Sequence, residues 1–255
     1  YQLTMGQGYF NEGKHEQRAV FDVFFRPNRL ITYSVAAGTE QAAEYLENLH
    51  FDGDDIAYLR SLGMFSEEYL AYLAQLRFTG DVRAVREGEI VFPYEPILTV
   101  SAPMLEAQLV ETALLTFINH QTLIASKAAK ICAAARTAPK TRGMDGLVTC
   151  VLTGEDKSQL AAQMRKLADE LDYAFFNRDA DNVDASDAVV LFGMEEVRRG
   201  LDAGCQYCHF ESCADCTEKD GLCAWDAIDI GIAIGAGTDI AIDSADIVLM
   251  HSDPA

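Results

Sequence analysis

Five of the seven cysteines fall in one twenty-residue stretch, GCQYCHFESCADCTEKDGLC, from Gly204 to Cys223. Two CxxC pairs, Cys205/Cys208 and Cys213/Cys216, are separated by four residues, and Cys223 follows seven beyond. A CxxC turn aims two sulfurs at one centre. Structural zinc sites usually hold their two pairs about a dozen residues apart or more, which gives each pair its own knuckle. A cubane accepts closer spacing, because each thiolate binds a different iron at a corner of a larger body. The spacing therefore points to a 4Fe–4S cluster on Cys205, Cys208, Cys213 and Cys223, with Cys216 spare; zinc, or no metal, are the alternatives. His209 is expected beside the site or exposed rather than as a ligand. Glu211, Asp215, Glu218 and Asp220 crowd negative charge around the thiols, which opposes the addition of an electron and would lower a reduction potential. The isolated Cys132 and Cys150 read as small buried apolar residues.

The elements that would carry this loop read as follows. Leu147–Leu152 is β-rich, Gly154–Tyr173 is a helix with Leu160, Met164, Leu167 and Leu171 on one face, and Asp187–Gly193 is a strand of the fully buried type. Cysteines follow as a loop, and a glycine-punctuated run from Gly231 ends in a strand over Asp246–Met250. Upstream, Ala19–Phe25 reads as a strand, and Glu40–Leu49, Asp54–Leu62 and Ser66–Leu76 as helices, the last capped by Ser66. Arg77–Val100 alternates like a meander of short strands. Met104 to about Thr137 reads as one long helix, opened by Pro103 and closed by Pro139, with Leu105, Leu109, Ala113, Phe117, Thr122 and Ala125 as its apolar stripe.

The whole is 255 residues with a formal charge of −20, long enough to bury a substantial core. Eleven acids and one base, Lys219, lie in residues 201–255, so half the net charge sits there. Such a balance excludes duplex nucleic acid and anionic membrane as partners and suits a basic protein partner. No apolar run reaches the roughly 20 residues of a membrane helix. An odd, clustered cysteine count and the lack of a signal-peptide pattern point to the cytoplasm; the sequence opens on Tyr1, inside what reads as a helix.

Three resemblances run along the chain. YQLTMGQGYF, AVFDVFFR, AAGTEQAAEYLENLHF, RFTGDV, IVFPYEPIL, EAQLVETALL and INHQTLIASKAAKI, in that order over residues 1–132, resemble the N-terminal part of nicotinate phosphoribosyltransferases. That resemblance implies an incomplete half of an irregular barrel whose active site is shared across a dimer, with Tyr1 facing the nicotinate ring. The stretches that hold that family's arginines, phosphorylated histidine and donor-phosphate loop have no counterpart here, so catalysis by this chain alone is not expected. Over residues 133–230, AAARTAPKTRGMDGLVTCVLTGED, FFNRDADNVDASDAVVLFGM, GCQYCHFESC and LCAWDAIDIGIAIG resemble a family of small ferredoxin-domain-containing proteins, whose cysteine pattern maps onto Cys205, Cys208, Cys213 and Cys223; Gln206 and His209 stand where that family has glycines. Residues 231–255, GIAIGAGTDIAIDSADIVLM onward, look like the end of the phosphorylation domain of heavy-metal P-type ATPases, without its aspartyl-phosphate or magnesium motifs.

Together these imply a mosaic of class α+β / α/β, an incomplete phosphoribosyltransferase N-terminal domain with a long helix followed by a small α/β domain carrying a Cys-rich loop. Its functional readings are a ferredoxin-like cluster-binding protein, an acidic inhibitor or antitoxin-like binder of a basic protein, and a fragment of nicotinate salvage. Unfinished barrel edges also suit a homodimer.

Overall fold

A computed structural model describes residues 1–27, 32–195, 198–202, 205 and 207–244, the last seven through their backbone alone. The chain divides into two compact units, Tyr1–Ser126 and Lys127–Ala255.

In the first unit, helix α1 (Gln2–Asn11) begins after Tyr1, which is its N-cap rather than a helical residue. Strand β1 (Arg18–Val23) pairs antiparallel with β5 (Leu98–Pro103), and β5 pairs on its other side with β3 (Asp81–Ala84). A second small ladder joins β2 (Ser34–Val35) to β4 (Ile90–Val91). The expected meander is thus split between two ladders. Between β2 and β3 run α2 (Thr39–Glu47), α3 (Gly53–Ser61) and α4 (Glu67–Gln75). Their starts follow local chemistry. Asp52 accepts from Asp54 N and Asp55 N while Asp55 accepts from Asp52 N, a reciprocal cap. Ser66 Oγ accepts from Tyr69 N. Gly38, at φ 90°, turns the chain into α2 where a Cβ would lie 2.8 Å from the Phe117 carbonyl oxygen.

Helix α5 (Met104–Thr137) occupies the expected span, but its buried face is turned by one residue. Val110, Leu114 and Ile118 are 0–1 % exposed, whereas Leu109, Ala113 and Phe117 are only half-buried. Thr122 and Ser126 continue the buried line because both are satisfied there: Ser126 Oγ accepts from Val35 N, Thr122 Oγ1 accepts from Ala37 N, and Thr122 Oγ1 donates to Ala37 O. Glu106, also buried, accepts from the Thr79 amide and hydroxyl at 2.7 and 2.9 Å. Around these packs an apolar core of twenty-one buried residues from every helix but α1, with Tyr69, Leu70 and Leu73 of α4 at its centre.

The second unit continues α5 into β6 (Leu147–Leu152), α6 (Gly154–Leu171), α7 (Phe175–Ala185), β7 (Val189–Met194), α8 (Cys213–Glu218) and α9 (Ala224–Ser244). Strand β7 is not of the fully buried, parallel type: it pairs antiparallel with β6, and alternate residues of both strands face solvent. Cys150 on β6 is accordingly exposed and Cys132 half-buried, against the expectation that both are buried. Helices α6 and α7 meet through Ala161, Ala180 and Val183, while Leu167 and Leu171, expected on the packed face, are exposed. Residues 224–244, glycines included, form one continuous helix. Gly237 lets α9 approach closely, since a Cβ there would lie 3.3 Å from both Ile131 and Phe192. The strand expected over residues 246–250 lies outside the described residues. Among the described residues no helix is long and apolar enough to cross a membrane.

Candidate cysteine site

Cys205, Cys208, Cys213 and Cys223 line one cavity, together with Arg199, Phe210 and Trp225. All seven cysteines are free thiols. The cavity has a volume of ≈ 20 Å³. Among the described residues, no three Cys, His, Asp or Glu side chains are arranged to hold a single metal ion. The four thiols share a cavity without forming a site for a single ion.

Part of the expected loop is helical. Ser212 caps α8, its Oγ accepting from Asp215 N at 3.0 Å, so that Cys213 stands at the first helical position. Asp202 Oδ1 accepts from Cys213 N at 3.1 Å, and Asp202 O accepts from Cys205 N at 3.1 Å, tying the two cysteine segments to one residue. Trp225 Nε1 donates to Cys205 Sγ at 3.1 Å, with Tyr207 edge-on to the indole at 5.2 Å. Cys223 directly precedes α9, where its carbonyl accepts from Asp226 N. His209 is exposed, at φ 62°. Lys219 holds the Asp215 carboxyl below its ordinary value, helped by the Glu211 amide.

Beside the thiols lies a buried ion group that the sequence reading missed. Arg199 is 1 % exposed and reaches Asp229 at 2.5 Å and Asp226 at 3.1 Å. Asp229 also accepts from Thr141 N at 2.9 Å and Thr141 Oγ1 at 2.8 Å. Burial alone would raise the Asp229 carboxyl, but the Thr141 donors and the Arg199 guanidinium outweigh it and hold the group below its ordinary value. The spacing Arg199…Asp226…Asp229 carries no recognisable signal; only the i, i+3 placement of two acids in the first turns of a mostly apolar helix hints at it.

In the first unit Tyr1 is exposed, and its Oη donates to Glu111 Oε2 at 2.8 Å. Glu111 borders an apolar groove of ≈ 250 Å³ between β1, β5 and α5, lined also by Phe21, Val23, Val100 and Leu114. This strand pair, long helix and N-terminal tyrosine have known counterparts. Residues 1–119 match the nicotinate phosphoribosyltransferase (NAPRTase) N-terminal domain. A nicotinate phosphoribosyltransferase of Mycobacterium tuberculosis is 49% identical over 142 residues, covering 54% of this chain and 30% of that protein. The Bacillus subtilis nicotinate phosphoribosyltransferase is 48% identical over 132 residues, 51% of this chain and 27% of its own length. The crystal structure of human nicotinic acid phosphoribosyltransferase superimposes with a TM-score of 0.50 and 31% identity, over 55% of this chain and 29% of that one. The first unit is therefore a nicotinate phosphoribosyltransferase-like segment, and the chain spans about a third or less of the length of these relatives.

Proposed function

We propose that the chain is a ferredoxin-like iron–sulfur protein, its cluster held by Cys205, Cys208, Cys213 and Cys223 in the second unit and joined to a nicotinate phosphoribosyltransferase-like segment that serves as scaffold. The observation that carries this reading is the shared cavity of the four thiols. Zinc would require four sulfurs about 2.3 Å from one point; thiols that share a cavity suit a body with four separate corners. The donor set fits as well, being all sulfur, with Phe210 and Trp225 supplying apolar wall. A 4Fe–4S cluster bound there would supply one-electron transfer. The chain's own residues set its conditions: Trp225 hydrogen-bonds the Cys205 sulfur, while Glu211, Glu218 and Asp220 add negative charge that makes reduction harder. The resemblance of residues 133–230 to ferredoxin-domain-containing proteins points the same way.

The test is anaerobic reconstitution of the full chain with ferrous iron and sulfide, read by iron, zinc and sulfide content and by visible absorbance. The expected outcome is a brown protein with stoichiometric iron and sulfide, and a Cys205→Ser, Cys208→Ser variant that stays colourless. A wild-type chain that remains colourless, or that takes up zinc alone under the same conditions, overturns the reading.

A second reading is favoured by the 49% identity of the first unit: a fragment of nicotinate salvage that acts when a partner completes the barrel. Tyr1 and Glu111 at the apolar groove would then face the nicotinate ring. Nicotinate mononucleotide formed by the purified chain with a partner, and lost in Tyr1→Ala, would establish it.

A further inference from the structure

Strand β3 is an edge whose outer side is open. Among the described residues it pairs with β5 alone, and Asp81, Val82, Arg83 and Ala84 are all exposed. The register decides which backbone groups face outward. Val85 N donates to Ile97 O at 2.9 Å, and residues of an antiparallel ladder alternate between bonding their partner strand and turning away from it. Asp81 and Arg83 therefore bond Ser101 and Thr99 of β5, while Val82 and Ala84 point their N–H and C=O groups out of the sheet's edge. On the other side of β5 the same alternation holds: Met104 N donates to Gln17 O at 2.7 Å, so that Val100, level with Val82, bonds toward β1.

The side chains of this edge are unfinished in the same way. Val82 lies level with Val100, which is 1 % exposed, yet is itself 37 % exposed because no further strand flanks it among the described residues. Asp81 is bridged to Arg18 across β5 at 3.1 Å, whereas Arg83 makes no ion pair among the described residues. Neither proline nor lysine blunts the edge, and its two charges are opposite in sign and two residues apart. On β1, the other edge of the sheet, Arg18 is engaged with Asp81 and Ser101, and Asp22 with Thr99.

We infer that β3 is a self-recognition edge: two copies of this chain pair antiparallel through it about a two-fold axis at Val82, joining their sheets into one. In that register Val82 meets Val82 of the second copy as a hydrogen-bonded pair, each donating its amide to the other's carbonyl, as the outward-facing groups require. Asp81 stands opposite Arg83 of the second copy, and Arg83 opposite Asp81 of the second copy, so one acid and one base per chain give two cross-strand ion pairs. Moving the axis by one residue either way sets Asp81 against Asp81 or Arg83 against Arg83, so charge fixes the register. Two copies at −20 each repel and the ladder is short, so the pairing is weak and grows with concentration. The edge belongs to the first unit, and the pairing does not rest on the cluster reading.

Sedimentation equilibrium of the full chain measures it, over a wide range of concentration and in reductant to exclude cysteine cross-links. The expected result for the wild type is a monomer–dimer equilibrium. Val82→Pro removes an outward N–H and none of the bonds to β5, so it should stay folded by far-UV circular dichroism and lose the dimer. Arg83→Asp and Asp81→Arg each set like charges across the pair and should weaken self-association by about tenfold or more. Mixed in equal amounts, these two variants should associate again, because one edge then carries two carboxylates and the other two guanidinium groups. Unfolded variants would not recover on mixing. A wild-type chain that is monomeric at every concentration, a dimer indifferent to Val82→Pro or to Arg83→Asp, or a mixture that stays monomeric overturns the inference.

Discussion

The two units are held together by different kinds of contact. Among the described residues of 1–126, twenty-one buried apolar residues form one core, and buried Glu106, Thr122 and Ser126 are satisfied by backbone or hydroxyl partners. In the unit from Lys127 onward, the described residues bury two clusters of three apolar residues each, around Leu147 and around Val183. What it has in their place is a buried guanidinium between two carboxylates and four thiols on one cavity. Apolar packing is non-directional and tolerates loss by degrees; an ion group and a metal site work only when complete. The second unit should therefore be brittle where the first is forgiving, and its stability should depend on pH and on what fills the cavity.

Three substitutions can break or sharpen that contrast. The largest effect is expected at Asp229→Ala, which removes one of the two carboxylates beside the buried Arg199 guanidinium; removing one member of a buried pair costs about 3–5 kcal/mol. Trp225, the only tryptophan, reports the unfolding of this unit by its fluorescence. The same group sets a pH dependence. Because its folded-state pKa is depressed, Asp229 adds stability above its ordinary value of about 3.9, and that stability is lost as pH falls through the folded value. An acid titration of the wild type should show this loss, and Asp229→Ala should flatten it; an unchanged acid limb would mean that the ion group contributes nothing. Next comes Leu70→Ala in the first unit, expected to cost about 3 kcal/mol by cavity formation and to show no such pH dependence. Far-UV circular dichroism against urea measures it. Smallest is His209→Gly. A non-glycine residue at φ 62° is strained, and relief should stabilise the second unit by about 1 kcal/mol. No gain in the urea midpoint would show that His209 holds its backbone by some contact of its own.

Much of the fold could be read from the residues, where the determinants are local. Pro103 and Pro139 bracket α5, and Ser66 and Asp52 mark helix starts by side-chain caps that need nothing distant. What escaped the reading depends on tertiary contacts. Thr122 was read in the stripe of α5, but Ser126 looks like a solvent residue until Val35 of β2 donates its amide to it, so the stripe ended on Ala125 instead. Helix α7 begins with two phenylalanines and continues through five acids and amides; it is packing of Ala180 and Val183 on Ala161 that makes it a helix. The glycine-punctuated run from Gly231 was not read as a helix, yet it is one, and the close approach of Gly237 to Ile131 and Phe192 is what needs a residue without a side chain. For the cysteine site, residue types and spacing were legible. The Trp225 hydrogen bond and the Arg199 ion group were not, because each joins segments distant in the sequence.

The register of the first sheet has a consequence for how this protein is made. Arg18 faces Pro103 and Val23 faces Leu98, while β3 adds only to the far side of β5. A ribosome therefore releases β1 long before its partner β5 exists, and every intermediate chain length up to about residue 103 carries β1 without that partner. Nascent polypeptides halted in that window should be the ones that chaperones hold, and any translation pause just beyond the long helix's first turns would be the earliest at which the sheet can close.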